Sequence, residues 1–148
     1  KSSDGRVYHM NAGDGVWHQI PNLLAKQIVL FSPQPGVPVR AKDLWALDSS
    51  GVLRWVDHDV PTPVEAPPGT ILSVTDGRVL TTSGVYRWND LHWTKVTDRS
   101  TPTGTIVQIA FAGPADSWMP ERVLETFTSQ LWGIDDAGQI YVYEVTSI

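Results

Sequence analysis

The sequence of 148 residues contains no cysteine. This absence excludes a disulfide framework, a thiolate zinc site and thiol catalysis, although it leaves the cellular compartment open. Long apolar runs are missing too, since a run such as Ile28–Phe31 has only four residues. A membrane-spanning helix needs roughly 18 to 20 apolar residues. The sequence therefore predicts no membrane span.

Positive charge is also scarce. The chain has 11 basic and 16 acidic residues, a net charge of -5, and no run of Lys or Arg. A protein that binds duplex DNA usually carries a basic stripe, so we expect no nucleic-acid partner. With 41% hydrophobic and 18% charged residues, the chain has the composition of a folded protein of one domain, residues 1–148.

Turn residues and tryptophan are plentiful by contrast, with 12 Gly, 11 Pro and seven Trp against three Phe. They belong to a repeat, because one pattern of Asp, Ser and Gly followed by an alternating segment occurs four times: Ser3–Met10, Asp48–Trp55, Thr82–Trp88 and Asp135–Tyr143. The repeat period is about 40 to 50 residues, which is typical of β-propeller blades.

Each copy reads as a β-hairpin. Its Gly supplies the positive φ of a tight turn, and its Asp or Ser accepts hydrogen bonds from nearby backbone N–H groups. Alternating segments flank the hairpins, so one unit is predicted to have four antiparallel strands and the fold class is all-β. Residues 112–130 form a loop insertion, in which 113–127 contains either a short helix or another strand.

The number of units is small for a closed ring. Two whole units are predicted, over 27–64 and 69–96, with parts of others at both ends, or about three blade equivalents. Propellers have four to eight blades. We therefore expect the ring to be completed by self-association into a homo-oligomer or by a longer parent chain.

The run Leu-Trp-x-Leu/Ile-Asp-x-x-Gly, at Leu44–Trp55 and Leu131–Tyr143, resembles the tectonin type of β-propeller repeat. The strand Trp93–Val96 is similar to the Trp strand that follows in that family. The third copy departs from the pattern, with Val79–Thr82 in place of Leu-Trp. The resemblance implies a propeller, and such repeats occur in glycan-binding lectins, intracellular adaptors and viral surface proteins.

Six of the tryptophans recur at corresponding places in the repeats, which predicts that they fill the wedge between neighbouring sheets. They are Trp17, Trp45, Trp55, Trp88, Trp93 and Trp132. Trp118 has no counterpart and lies in the insertion. It is either a stacking platform for a sugar or a protein, or an anchor for its own loop.

Two histidines occupy corresponding positions, because His18 follows Trp17 and His92 precedes Trp93. Neighbouring residues of a strand face opposite sides. Each histidine is therefore predicted to point away from its Trp, where it either bonds a ligand hydroxyl or is a solvated edge residue.

A metal site or an active site receives little support. His58 lies between Asp57 and Asp59, a set that can bind metal, but a solvated turn is the preferred interpretation. The other acids considered fall in predicted hairpin turns: Asp48, Asp76, Asp135 and Asp136. Since no nucleophile, metalloprotease or nucleotide motif is present either, we predict no catalysis, no metal and no cofactor.

The sequence thus favours a non-catalytic, lectin-like recognition module that binds a glycan or another surface ligand through loops and grooves between blades. An extracellular or virion-surface location is favoured. The candidate ligand residues are Trp17, His18, His58, His92, Trp93 and Trp118. The alternative is a structural or adaptor component whose propeller edges serve assembly.

Overall fold

The computed structural model describes residues 1, 3–10, 13–31, 43–57, 59–89, 92–112 and 128–146. Within these ranges the chain forms strands and turns and no helix, so the all-β prediction is confirmed. The strands are β1 (Arg6–Met10), β2 (Trp17–Phe31), β3 (Asp43–Asp48), β4 (Leu53–Asp57), β5 (Val60–Pro63), β6 (Ile71–Thr75), β7 (Arg78–Thr81), β8 (Gly84–Asn89), β9 (His92–Thr97), β10 (Ile106–Ala112), β11 (Thr128–Asp135) and β12 (Ile140–Thr146). Residues 113–127, predicted as a short helix or a strand, lie outside the described ranges.

The strands form three antiparallel sheets in which hydrogen-bonded neighbours follow chain order. The first sheet is β1-β2-β3-β4-β5, the second is β6-β7-β8-β9 and the third is β10-β11-β12. The second sheet coincides with the unit predicted over 69–96. No closed ring or barrel forms among the described strands.

Two alternating segments of the sequence, 16–20 and 27–31, predict separate strands, but the structure joins them in β2. It is continuous over 15 residues and is shared, because its first half pairs with β1 and its second half with β3. The register against β1 jumps between the Tyr8–Gln19 and Arg6–Leu24 pairs. This bulge lets the strand change partners without ending. We call β1 together with Trp17–Leu24 the arm. From here on, the first sheet means the rest of that sheet, residues 25–31 of β2 with β3, β4 and β5.

The hairpin turns have the predicted chemistry. Gly51 and Gly138 have positive φ, 88° and 80°. The Asp48 carboxylate accepts hydrogen bonds from the N–H groups of Ser50 and Val52, at 2.9 and 2.8 Å. Asp135 does the same in the third sheet. These aspartates are therefore turn residues, as the sequence indicated.

The core has three parts, each between successive layers. The arm packs on the first sheet through Val7, Ile20, Leu23, Ala25, Ala46 and Val56. The first and second sheets meet at Trp45, Leu53 and Val79, with Val29, Trp55, Val64, Ile71, Val74, Trp88 and Trp93 around them. The second and third sheets meet at Leu80, Val85, Ile106, Ile109 and Leu131, with Leu72, Val96, Phe111 and Tyr141. We call the second of these contacts the indole interface.

The first strand of each unit lies beside the first strand of the next. The Gln27 amide joins β2 to β6, donating to the Leu72 carbonyl at 3.1 Å and accepting from the Val74 N–H at 3.0 Å. The N–H of Ile109 in β10 donates to the Ser73 hydroxyl of β6 at 3.2 Å. Polar side chains thus satisfy backbone groups that these edges would otherwise leave open.

The second hairpin is one residue shorter than the others. Leu47 pairs with Leu53 in the first sheet, whereas Leu80 pairs with Val85 in the second. Because the side-chain period of a strand is two, a one-residue difference moves every following side chain to the opposite face.

This difference corrects the equivalence that the repeat predicted between Trp55 and Trp88. Trp55 pairs with Trp45 and faces the second sheet, while Trp88 faces back toward the first. At the register positions of Trp45 and Trp55, the second sheet carries Arg78 and Arg87. All four indoles consequently gather at the indole interface, and arginines face the third sheet.

Candidate functional site

The predicted ligand residues are not brought together. Trp118 and His58 lie outside the described residues. Trp17 and His18 belong to the arm, whereas His92 and Trp93 belong to β9, at the far edge of the second sheet. The two Trp–His pairs lie on different sheets, so they cannot contact one ligand at a single site.

His18 is held by its own neighbourhood. Its Nε2 lies 2.9 Å from the Asp14 carboxylate, and its ring centre lies 5.6 Å from that of His9. His9 in turn lies 3.3 Å from the carboxylate of Asp59, in the first sheet. The pKa of Asp14 is lowered, first by the N–H of Val16 and then by His18. These contacts fasten the arm, and a role in ligand binding stays a prediction for His18.

Trp93 packs at the indole interface. Its indole N–H donates to the Glu65 carbonyl at 2.6 Å. Its ring meets those of Trp88 and Trp45 edge-on, at centroid distances of 5.0 and 6.3 Å. Such contacts stabilise aromatic pairs beyond the burial of their area. Neighbouring His92 is exposed.

The wedge-filling prediction holds for four tryptophans and fails for two. Trp45 is buried, and Trp55, Trp88 and Trp93 are half-buried around it. Trp17 is 62% exposed and Trp132 is 40% exposed. Both lie on outward sheet faces, because Trp17 is opposite the arm surface that packs on the first sheet and Trp132 is opposite the surface that packs on the second.

A groove lies between the second and third sheets, with a cavity of about 150 Å³. Its floor is apolar, formed by Val85, Ile106, Ile109 and Leu131. The segment 98–102, between β9 and β10, forms one rim and includes a carboxylate residue, Asp98, and two hydroxyl residues, Ser100 and Thr101. Tyr141 and Tyr143 of β12 also line the groove, and we call them the tyrosine rim.

The tyrosine rim is held by a polar network. The Thr103 hydroxyl lies 2.8 Å from the Tyr141 hydroxyl and donates to the Asp135 carboxylate. Thr101 donates to the same carboxylate at 3.2 Å. The hydrogen bond from Thr103 is the main cause that lowers the pKa of Asp135. The carboxylate therefore stays ionised and orients both threonines at the rim.

Sequence reasoning missed this groove, although a signal for it was present. Tyr141 and Tyr143 alternate along β12 where the third copy has Tyr86 and Trp88. An alternating pair of smaller aromatics with hydroxyls indicates a less completely filled wedge. The register shift in the second sheet, which removes the opposing indoles, also had a signal, because Thr82–Trp88 is one residue shorter than Asp48–Trp55.

A second depression, of about 480 Å³, lies between the arm and the first sheet and is lined by charged groups. Arg54 bonds the Asp48 carboxylate at 2.7 Å. Burial raises the pKa of Asp48, but Arg54 and the N–H groups of Val52 and Ser50 outweigh it and lower the pKa overall. Since Asp48 and Arg54 neutralise each other, this depression is a weaker candidate than the groove.

Other kinds of site gain no support in the described ranges. No three histidine or acidic side chains there come close enough to share a metal ion. The same residues include no helix of the length and apolarity that crossing a membrane requires. Comparison with family models, curated proteins and solved structures found no match.

Proposed function

We propose that the chain is a non-catalytic recognition module, built from β-propeller blades, that binds carbohydrate in the groove between its second and third sheets. The observation that carries this proposal is the chemistry of the groove. An apolar floor, two tyrosine rings and a rim of hydroxyls surround a cavity of about 150 Å³. Sugars have apolar C–H faces and hydroxyl edges, so they match such a lining.

Three features support blades as the building unit. Each sheet is an antiparallel meander in chain order. The first strands β2, β6 and β10 lie side by side, joined by the side chains of Gln27 and Ser73. The sheets also stack face to face in succession. Radial packing of four-stranded meanders gives a propeller.

The size of the groove limits the ligand. Pockets for drug-sized molecules span about 300 to 1,000 Å³, and the groove is smaller. We therefore expect it to hold one sugar ring, with the remainder of a glycan outside. Tyr143, which is 45% exposed, is the ring available for stacking, and the exposed Ser100 supplies a hydroxyl in the same lining.

The carboxylates near the groove favour binding over hydrolysis. Retaining and inverting glycosidases use two carboxyl groups on either side of the scissile bond. The Asp135 carboxylate accepts hydrogen bonds from the backbone of its own turn and from the hydroxyls of Thr101 and Thr103. Asp98 pairs with Lys95 at 2.5 Å. Both groups are engaged by neighbours, which supports a module without catalysis.

The test measures intrinsic affinity for free oligosaccharides, chosen with a glycan array and titrated by NMR. Tyr143→Ala should weaken binding about tenfold, because one stacking contact contributes about 1.4 kcal/mol. Trp17→Ala is the matched control, an exposed aromatic outside the groove, and should leave affinity unchanged. Loss of binding in Trp17→Ala alone would move the site to the arm, and no signal on the array would remove the carbohydrate proposal.

One observation favours a structural or adaptor role as a second candidate. Large apolar side chains are exposed on the outward faces of the arm and the third sheet, among them Met10, Trp17, Trp132 and Ile140. Contiguous exposed apolar surface marks an interaction site. This candidate predicts a broad apolar interface and no preferred small ligand.

A further inference from the structure

The outward face of the third sheet is apolar and exposed. Ladder pairing places Trp132 beside Val142 and Ile134 beside Ile140, all on one side of the sheet. Trp132 is 40% exposed and Ile140 67%. We call these four residues the open face. The opposite side of the sheet, with Leu131, packs on the second sheet.

The first sheet shows what this pattern does when it is covered. Its turn at Asp48 has the geometry of the turn at Asp135, so positions in the two sheets correspond one to one. The open face corresponds to a set in the first sheet that also forms two ladder pairs: Trp45 with Trp55 and Leu47 with Leu53. In that set Trp45 is only 6% exposed and Leu53 1%. The second sheet is what buries them.

The covering surface of the second sheet is centred on a ladder pair, Trp88 with Trp93. Together with Val79 this pair receives Trp45, and the indoles of Trp88 and Trp45 meet edge-on at 5.6 Å. By this correspondence, the open face should be covered by a sheet that carries an aromatic ladder pair where the second sheet has Trp88 and Trp93.

The arm carries such a surface. Met10 and Trp17 form a ladder pair between its strands, as Trp88 and Trp93 do between β8 and β9. Val7 and Ile20 face the first sheet, so Met10 and Trp17 face away from it, as Trp88 and Trp93 face away from the third sheet. The ladder pairs Tyr8–Gln19 and Arg6–Leu24 lie on the same side and extend this surface, which we call the arm face.

The charges on these faces are compatible with contact. Among the described residues, the open face has only apolar members. Of the described residues on the arm face, Arg6 is the charged one, and it is paired with Asp4 at 2.5 Å. Apolar surfaces of this kind associate because their contact removes water, and no unpaired charge opposes it.

We infer that two copies of this chain associate head to tail, with the open face of one on the arm face of the other. The contact reproduces between chains the packing that the indole interface makes within one. It is heterologous, so each copy keeps one face free for the next, and the series ends in a ring or continues as a filament. The inference is independent of any ligand in the groove.

Analytical ultracentrifugation of the 148-residue chain over a wide concentration range tests the association. The expected result is a mass that increases with concentration above 16.3 kDa. Trp132→Asp, on the open face, and Trp17→Asp, on the arm face, should each reduce the species formed alone to the monomer. A chain that is monomeric at every concentration would overturn the inference.

Mixing the two variants tests the direction of the contact. Trp132→Asp keeps a normal arm face and Trp17→Asp keeps a normal open face, so the mixture should form a dimer and nothing larger. An isologous contact, in which one face meets the same face of another copy, predicts that only one of the variants loses association. That outcome, or a mixture that stays monomeric, would contradict the head-to-tail arrangement.

Controls separate association from folding. Val60→Asp, at an exposed position at the start of β5 and outside both faces, should leave the mass distribution unchanged. Circular dichroism checks that each variant keeps its fold. If Trp132→Asp does not fold, Ile140→Asp replaces it, since Ile140 is the most exposed member of the open face.

Discussion

The indole interface and the groove join successive sheets in the same way, yet one is filled and the other is open. Four tryptophans occupy the first, with three rings in edge-on contact. The second has an aliphatic floor, a tyrosine rim and space for a ligand. The comparison shows that one packing plan gives a filled interface in one place and an open groove in the next.

The two interfaces also differ at two register positions. Where the first sheet has Trp45 and Trp55, the second has Arg78 and Arg87. The Arg78 guanidinium lies over the Phe111 ring, 3.5 Å from its centre. Burial lowers the pKa of Arg78 to about 10, helped by the charge of Arg87 and opposed by Asp76. The groove is lined by Val85, which shares a sheet face with both arginines, but by neither arginine itself.

The largest effect should come from removing the central indole. Trp45→Ala should lower the free energy of unfolding by about 3 to 5 kcal/mol, since it leaves a cavity among three other rings. Urea unfolding measures the change, and Trp45→Phe, which keeps a ring, should lose less. A loss below about 1 kcal/mol would show that the indole interface contributes no more than the groove.

A smaller effect should come from the short hairpin that sets the register of the second sheet. Gly84 has φ of 139°, and a Cβ there would lie 2.7 Å from the carbonyl oxygen of Thr97. Gly84→Ala should therefore cost about 2 to 3 kcal/mol. The matched variant Gly51→Ala meets no atom within 4 Å and should cost about 1 kcal/mol, from its φ alone. Equal losses in urea unfolding would contradict the close approach at Gly84.

The smallest effect should come from replacing a wedge arginine. Arg78→Met removes both the buried charge and its contact with Phe111, which oppose each other in free energy. We expect the unfolding free energy to change by less than about 1 kcal/mol. The control is Phe111→Leu in the Arg78→Met background, which shows whether the ring still packs. A loss comparable to that of Trp45→Ala would make the two interfaces energetically alike.

Much of the fold followed from local signals. The turns at Asp48 and Asp135 and the strands around them were predictable because a carboxylate that caps a turn and an alternating segment are both local features. The continuity of β2 was not, since the bulge between Gln19 and Leu24 depends on pairing with β1. Chain-order pairing of the sheets followed from the repeat.

The candidate site was less accessible to prediction. Identity of residue type made Trp55 and Trp88 look equivalent, but one residue fewer between Leu80 and Val85 places them on opposite faces. Trp17 and Trp132 repeat the wedge pattern, yet their exposure depends on what lies beside the sheet and not on the strand itself. Local sequence predicts the strands and turns, whereas the order of the packed sheets decides which face of each sheet is exposed to solvent.

The shared strand β2 has a consequence for folding cooperativity. Strand β2 belongs to both the arm and the first sheet, so the two parts are covalently continuous. Backbone hydrogen bonds also connect β2 to β1 on one side and to β3 on the other. The second and third sheets meet mainly through side chains. Native-state hydrogen exchange should therefore show the arm and first sheet opening as one unit, with the third sheet exchanging through a separate and less costly opening.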